Sequence, residues 1–197
     1  MHVAQGLDER ELREHARNIW ELNEKLDDIW LLAGIEVNIM EDGTFDLQHQ
    51  VLEEMDWVVA AVHSHLDLDQ QEQTDRICRA LDTGLAHCYA HPFERRIIGD
   101  RNPMQLDIER VFEVCLDNDI SVEINAQPDR LDLPDVHCKR AKELGLKMCI
   151  NTDAHKTMDL DFMHFGVDVA RRGWLEPSDV VNALTASELR NRLGLDQ

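Results

Sequence analysis

Five short, mostly apolar runs, at 31–37, 57–62, 85–90, 120–124 and 147–152, constrain this chain more than any other feature. Each run is followed by a segment that helix periodicity or turn chemistry claims. The segment 9–28 carries Leu12, Ala16, Ile19 and Leu26 on one face, with Asp8 as N-cap and Glu11 completing a capping box. A helix from about Asp69 aligns Thr74, Ile77, Cys78 and Leu81; a later one aligns Ile108, Val111, Phe112 and Cys115. Further helices are expected over 134–144, ended by Gly145, and over 160–171 and 177–193. Near-continuous apolar strands alternating with helices build a parallel sheet covered by helices, an α/β fold. Five units are too few for a closed eight-fold barrel. The pattern alone leaves an incomplete barrel and an open doubly wound sheet as alternatives.

The 197 residues suit one domain, 1–197. No apolar run approaches the roughly 20 residues that span a bilayer, and the first ten residues lack the basic flank and apolar stretch of a secretory signal. No membrane association is expected, and the cytoplasm is the expected compartment. The five cysteines are odd in number and form no C-x-x-C pair, which fits small buried hydrophobes in a reducing environment. Forty acidic against twenty basic residues give a formal charge of −20. That field repels phosphate backbones and argues against a broad nucleic-acid surface, although bound cations can make one cleft locally positive.

Position sharpens the chemistry. Glu36 ends the first run, His63 follows 57–62, His91 follows 85–90, and Asp153 and His155 follow 147–152. Carboxylates and imidazoles therefore gather at the carboxyl ends of four parallel strands, where α/β folds place their active sites. An extended Asp153-Ala154-His155 sends both side chains to one face. Imidazole suits zinc, iron and manganese, and carboxylates can bridge two ions. A donor set without cysteine points to a catalytic centre rather than a closed structural zinc site. Such a centre lowers the pKa of bound water to about 7 and clamps the oxygens of a phosphoester. Arg95 and Arg130 follow these strands closely, and their guanidinium forks match phosphate oxygens; pairing with the abundant acids is the competing role for every arginine here. His65 is a weaker ligand candidate. His2, His15, His49, His87, His137 and His164 are expected as ordinary surface or core histidines, Met104, Met148 and Met163 as core fillers, and Trp174 as a helix-anchoring core residue.

Gly34-Ile35-Glu36-Val37, Val62-His63-Ser64, Ala90-His91-Pro92, Glu123-Ile124-Asn125-Ala126 and Asn151-Thr152-Asp153-Ala154-His155 resemble the successive motifs of the PHP (polymerase and histidinol phosphatase) domain. The stretches Asn125-Ala126-Gln127-Pro128-Asp129-Arg130-Leu131-Asp132-Leu133 and Ala170-Arg171-Arg172-Gly173-Trp174-Leu175 resemble a narrower group, the C-terminal PHP domain of bacterial family X DNA polymerases. The resemblance implies a distorted (β/α)7 TIM-like barrel holding up to three divalent ions, manganese or zinc, with iron as a further candidate. It implies that Glu36 bridges two ions, that His63 and His91 complete the first site, that Asp153 joins Glu36 at the second, and that His155 serves the third. The family's H-x-H pair on its first strand and D-H near its second do not appear in the chain. It is therefore expected to begin after them and to lack the first strands of the barrel. The implied function is a metal-dependent phosphoesterase, the 3′–5′ exonuclease module of a family X polymerase acting on DNA 3′ ends. The alternatives are a stand-alone phosphatase for a small phosphomonoester such as histidinol phosphate, and an inactive truncated domain with a structural role. Strand edges left by the missing segment, beside 31–37 and near the C-terminal end of the sheet, are expected to favour homo-oligomers.

Overall fold

The computed structural model describes residues 6–97 and 102–195; His2 lies outside the described residues. Helix α1 (Glu9–Asn23) opens with the expected capping box between Asp8 and Glu11. It stops five residues short of the periodic pattern, because the Asn23 amide bonds both the N–H and the C=O of Leu31 at 2.8 Å and folds the chain back. Then follow β1 (Gly34–Asn38), a short α2 (His49–Leu52), β2 (Trp57–Ala61), α3 (Gln70–Leu81), β3 (Cys88–Tyr89), α4 (Ile108–Asp117), β4 (Ser121–Asn125), α5 (Asp135–Leu144), β5 (Met148–Asn151), α6 (Met163–Arg172) and α7 (Ala186–Arg192).

All described strands pair in parallel, in the sequential order β1-β2-β3-β4-β5. An order without reversal has no topological switch point, so the doubly wound alternative is excluded. Parallel crossovers are almost always right-handed, and a sheet that always steps the same way carries its connecting helices on one face. Accordingly α3 packs on α4 and α5 on α6. The core lies between these helices and the sheet, with Ile77, Leu81, Phe112, Val122, Ile124 and Met148 fully buried. Each such side chain stabilises by about 1.5–3 kcal/mol relative to exposure.

Four expectations need correction. The predicted helix over 177–193 breaks into two single 3₁₀ turns and the short α7. The broken segment covers the outer edge of β5: Val180 bridges Met148 in parallel, and the Asn182 amide bonds Ile150 N–H and C=O at 2.6 and 2.9 Å. The exposed strand edge expected at that end is therefore partly masked, and β1 is the outer strand on the other side. Trp174 is not a core anchor but 74% exposed, with φ of +63°, and Met163 lies at the surface. Helix α7 is tied to the segments preceding β4 and β1, where Arg192 bonds the C=O and carboxylate of Asp119 and Arg190 stacks 4.8 Å over Trp30. All five cysteines are buried and unpaired.

Candidate metal centre

Alternation along β1 buries Val37 on the helix side and turns Glu36 and Asn38 to the opposite face. In register with them β2 runs out at Ala61, and His63 stands just beyond. His91 stands two residues beyond β3. The middle of β1 and the ends of β2 and β3 bring the Glu36 carboxylate 3.0 Å from His63 Nε2 and 3.5 Å from His91 Nε2. One ligand atom from each residue lies within 4.8 Å of the other two, and the imidazole rings sit tilted 5.3 Å apart. Two imidazole nitrogens and a carboxylate at this spacing fit one divalent ion of the zinc, manganese or iron kind, with room for further ligands.

Supporting residues aim each ligand. His63 Nδ1 meets the Asn38 side-chain oxygen at 2.6 Å, and Asn38 in turn donates to Asp46. That bond directs the other ring nitrogen, Nε2, at Glu36. His91 Nδ1 lies 2.7 Å from the buried Glu94 carboxylate, off the N–H axis, so the contact is better described as a charge pair than a linear hydrogen bond. Arg130 reaches the same Glu94 oxygen at 2.7 Å. The Arg76 guanidinium, buried under the loop after β2, bonds the carbonyls of Ser64 and His65. Glu123 on β4 accepts from the His91 N–H at 2.8 Å, from Asn125 at 3.2 Å and from Asn151 at 2.8 Å.

The electrostatics follow from this packing. Desolvation would raise the Glu36 pKa, but bonds from His63 and His91 hold it well below the usual carboxylate range. Burial would lower His91, yet Glu36 and Glu94 overcome it and raise the imidazole to about 10. Glu94 is opposed by burial and held down to about 2 by His91 and Arg130. Glu123 is pushed up to about 7 by its complete burial.

The remaining expected ligands are placed otherwise. Asp153 accepts from Asn125 at 3.2 Å and faces Arg130 at 3.8 Å. The His155 side chain is 80% exposed, with Nδ1 2.8 Å from the Asp153 carbonyl. Neither joins the Glu36, His63 and His91 group among the described residues. His65 instead faces Glu41 at 3.8 Å. Arg95 spends its guanidinium on the carbonyls of Arg130 and Leu131, and Arg96 pairs with Asp129. Residue-by-residue reading missed Asn38, Glu94 and Glu123 as parts of the site. Asn38 was within reach of strand alternation, being two residues from Glu36.

The fold and this site define a histidine–carboxylate centre at the carboxyl rim of a singly wound parallel sheet. The chain is 37% identical, over 96% of its length, to a DNA polymerase/3′-5′ exonuclease PolX of Bacillus subtilis, covering 33% of that protein. It is 30% identical over 73% of its length to a probable phosphatase of Caldanaerobacter subterraneus, covering 58% of that protein. A probable phosphatase of a Thermoanaerobacter species matches 84% of the chain at 28% identity, with 69% of that protein covered. The chain thus spans a third of the first of these relatives and little more than half of the second. No protein-family model matches it.

Proposed function

We propose that the chain is a phosphoesterase domain of the PHP type that hydrolyses phosphodiesters at DNA 3′ ends, as the exonuclease module of a family X DNA polymerase. The convergence of Glu36, His63 and His91 within 4.8 Å carries this reading. The 37% identity to a relative named as polymerase and 3′-5′ exonuclease supports the choice of substrate. Glu36, His63 and His91 would hold a divalent ion, which would supply Lewis-acid stabilisation of charge on phosphoryl oxygens and a bound water of lowered pKa. The chain's own part is to hold that ion at Glu36 and to fix both imidazoles through Asn38 and Glu94. The loops after β3 and β4 wall the centre; there Asp132 accepts from the N–H groups of Phe93 and Arg95 at 3.0 and 3.4 Å. Asp153 and His155 are the candidates for further ions, and Arg130, 3.8 Å from Asp153, is the candidate phosphate contact.

A second reading, hydrolysis of a small phosphomonoester, is favoured by one observation. Arg95, Arg96 and Arg130 are all engaged within the protein, which leaves little to track a long backbone on a chain of net charge −20. We assign the protein to the cytoplasm, in keeping with its unpaired cysteines. Among the described residues no helix is long and apolar enough to cross a membrane. Self-association through the outer edge of β1 is a further part of the proposal, read by light scattering across a concentration series.

Incubation with manganese of a 3′-hydroxyl single-stranded oligonucleotide, beside p-nitrophenyl phosphate, tests the assignment. Stepwise shortening that His63→Ala abolishes is the expected result. Turnover of the phosphomonoester alone selects the second reading, and no metal binding with no turnover returns the chain to a structural role.

A further inference from the structure

Glu94 occupies a backbone position that its side chain disfavours. Its φ is +48°, in the left-handed region that suits glycine, and yet its side chain is only 1% exposed. Non-glycine residues keep such conformations only where the surroundings over-determine them, and they cluster at functional sites. Of the seven such residues among the described ones, His65, His91, Glu94, Leu131 and Asp153 all lie on the rim that carries the centre.

What surrounds Glu94 is specific. Its N–H donates to the His91 carbonyl at 2.9 Å, closing a tight turn directly after the histidine. Its carboxylate then returns to His91 Nδ1 at 2.7 Å, on the ring edge opposite the Nε2 that faces Glu36. Arg130 Nη1, at 2.7 Å, balances the charge and keeps the carboxylate from acting as a free anion inside the protein. The other histidine is held by a neutral amide, Asn38.

We propose that Glu94 is a positioning residue of the metal centre. It locks the His91 ring with Nδ1 turned inward, so that Nε2 is presented to a divalent cation, and it makes that imidazole a stronger donor than one backed by an amide. The left-handed turn at Glu94 is the geometry that returns its carboxylate to the imidazole three residues earlier. The inference rests on the trio being a metal centre and adds the residue that tunes it.

The test compares Glu94→Gly, Glu94→Gln and Glu94→Asp with the unaltered chain and with His63→Ala. Manganese and zinc affinities are read by competition with a chromogenic chelator, thermal midpoints report folding, and nitrogen-15 NMR reports the His91 ring. The glycine variant relieves the left-handed backbone but removes a partner of the buried Arg130, so a lower thermal midpoint is expected of it, and the glutamine variant, which keeps the side-chain volume, carries the comparison if glycine fails to fold. The affinities of the glycine and glutamine variants are expected to fall roughly 10- to 100-fold, with a shift of the His91 Nδ1 resonance and partial recovery in the aspartate variant. Folded glycine and glutamine variants that bind as tightly as the unaltered chain, while His63→Ala does not, would overturn the role of Glu94 and leave the metal centre standing. A folded, unaltered chain that binds neither ion would remove the centre and this inference together.

Discussion

The rim has two halves made of like residues on like strand ends, and only one of them is assembled. On the β1–β3 side, Glu36, His63 and His91 meet around one point. On the β5 side, Asp153 is drawn toward Asn125 and Arg130, and His155 stands in solvent. The difference lies in what backs each residue. His63 and His91 each have a second partner behind the ring, Asn38 and Glu94, whereas the second ring contact of His155 is the carbonyl of Asp153, two residues away. A strand end brings a side chain to the rim, but a supporting partner is what points it.

The largest effect is expected where the halves join. Arg130 touches Glu94 at 2.7 Å and Asp153 at 3.8 Å. Arg130→Ala leaves Glu94 buried with only part of its compensation, and breaking a buried pair typically costs 3–5 kcal/mol. About 3 kcal/mol is expected, toward the lower end because His91 still faces Glu94, and urea denaturation measures it. A loss below about 0.5 kcal/mol, the scale of surface pairs, would mean that the halves stand independently.

Next comes the contrast between ligands. His63→Ala should weaken manganese or zinc binding by more than about 100-fold, beyond what a supporting residue costs, while Asp153→Asn should change the same affinity far less. Calorimetric titration of both variants measures this. Equal losses would show that the ion sits between the halves, and that Asp153 belongs to the first site.

Much of the assembled half was legible because its residues follow apolar runs directly. His63 and His91 sit just past the runs 57–62 and 85–90, where a polar residue leaving a buried strand has one place to go, and Glu36 sits near the end of 31–37, although β1 runs on to Asn38. Their partners were hidden for a different reason. Glu94 and Glu123 act across loops and strands far apart in sequence, and β3 shrank to Cys88–Tyr89 within a run that predicted six residues. The C-terminal helix was misread because its apolar Val180 and polar Asn182 serve the edge of β5, which overrides helical periodicity. The parallel sheet could be read from composition of the runs; the sequential strand order that excludes a doubly wound sheet could not.

The clamp formed where Asp132 holds the loop after β3 and Glu123 of β4 holds the His91 N–H also carries a pH signature. Asp132 is raised to about 6 by burial, and Glu123 to about 7 by the same cause. Carboxyls whose folded pKa exceeds the unfolded value favour folding while protonated, and that contribution is lost as pH rises through about 6 and 7. His91, raised to about 10, adds the same sign above its unfolded value. Glu36 and Glu94 act oppositely, but only below the ordinary carboxylate range. In chelator, the urea midpoint should therefore fall from pH 5 to pH 8. Asp132→Asn should remove roughly 1 kcal/mol of that fall, one pKa unit's worth. A midpoint that rises over this interval would contradict the buried, proton-binding character of the clamp.

The smallest effect is expected at His155, and it is the sharpest test of the comparison. Its ring is 80% exposed, its Nδ1 meets a backbone carbonyl at 2.8 Å, and its main-chain N–H reaches Asp159 at 3.2 Å. Substituting alanine preserves the main-chain bond and removes only the exposed imidazole. Surface changes of this kind usually stay within about 0.5 kcal/mol, so thermal stability and first-ion affinity should both remain within about threefold of the unaltered chain. Hydrolysis can respond differently, because an imidazole at the rim is free to meet substrate or a further ion. A drop in turnover with unchanged first-ion affinity would assign His155 to the far half as a separate functional element. A drop in affinity itself would mean that the two halves close around one ion in solution, and the division drawn between them would fall.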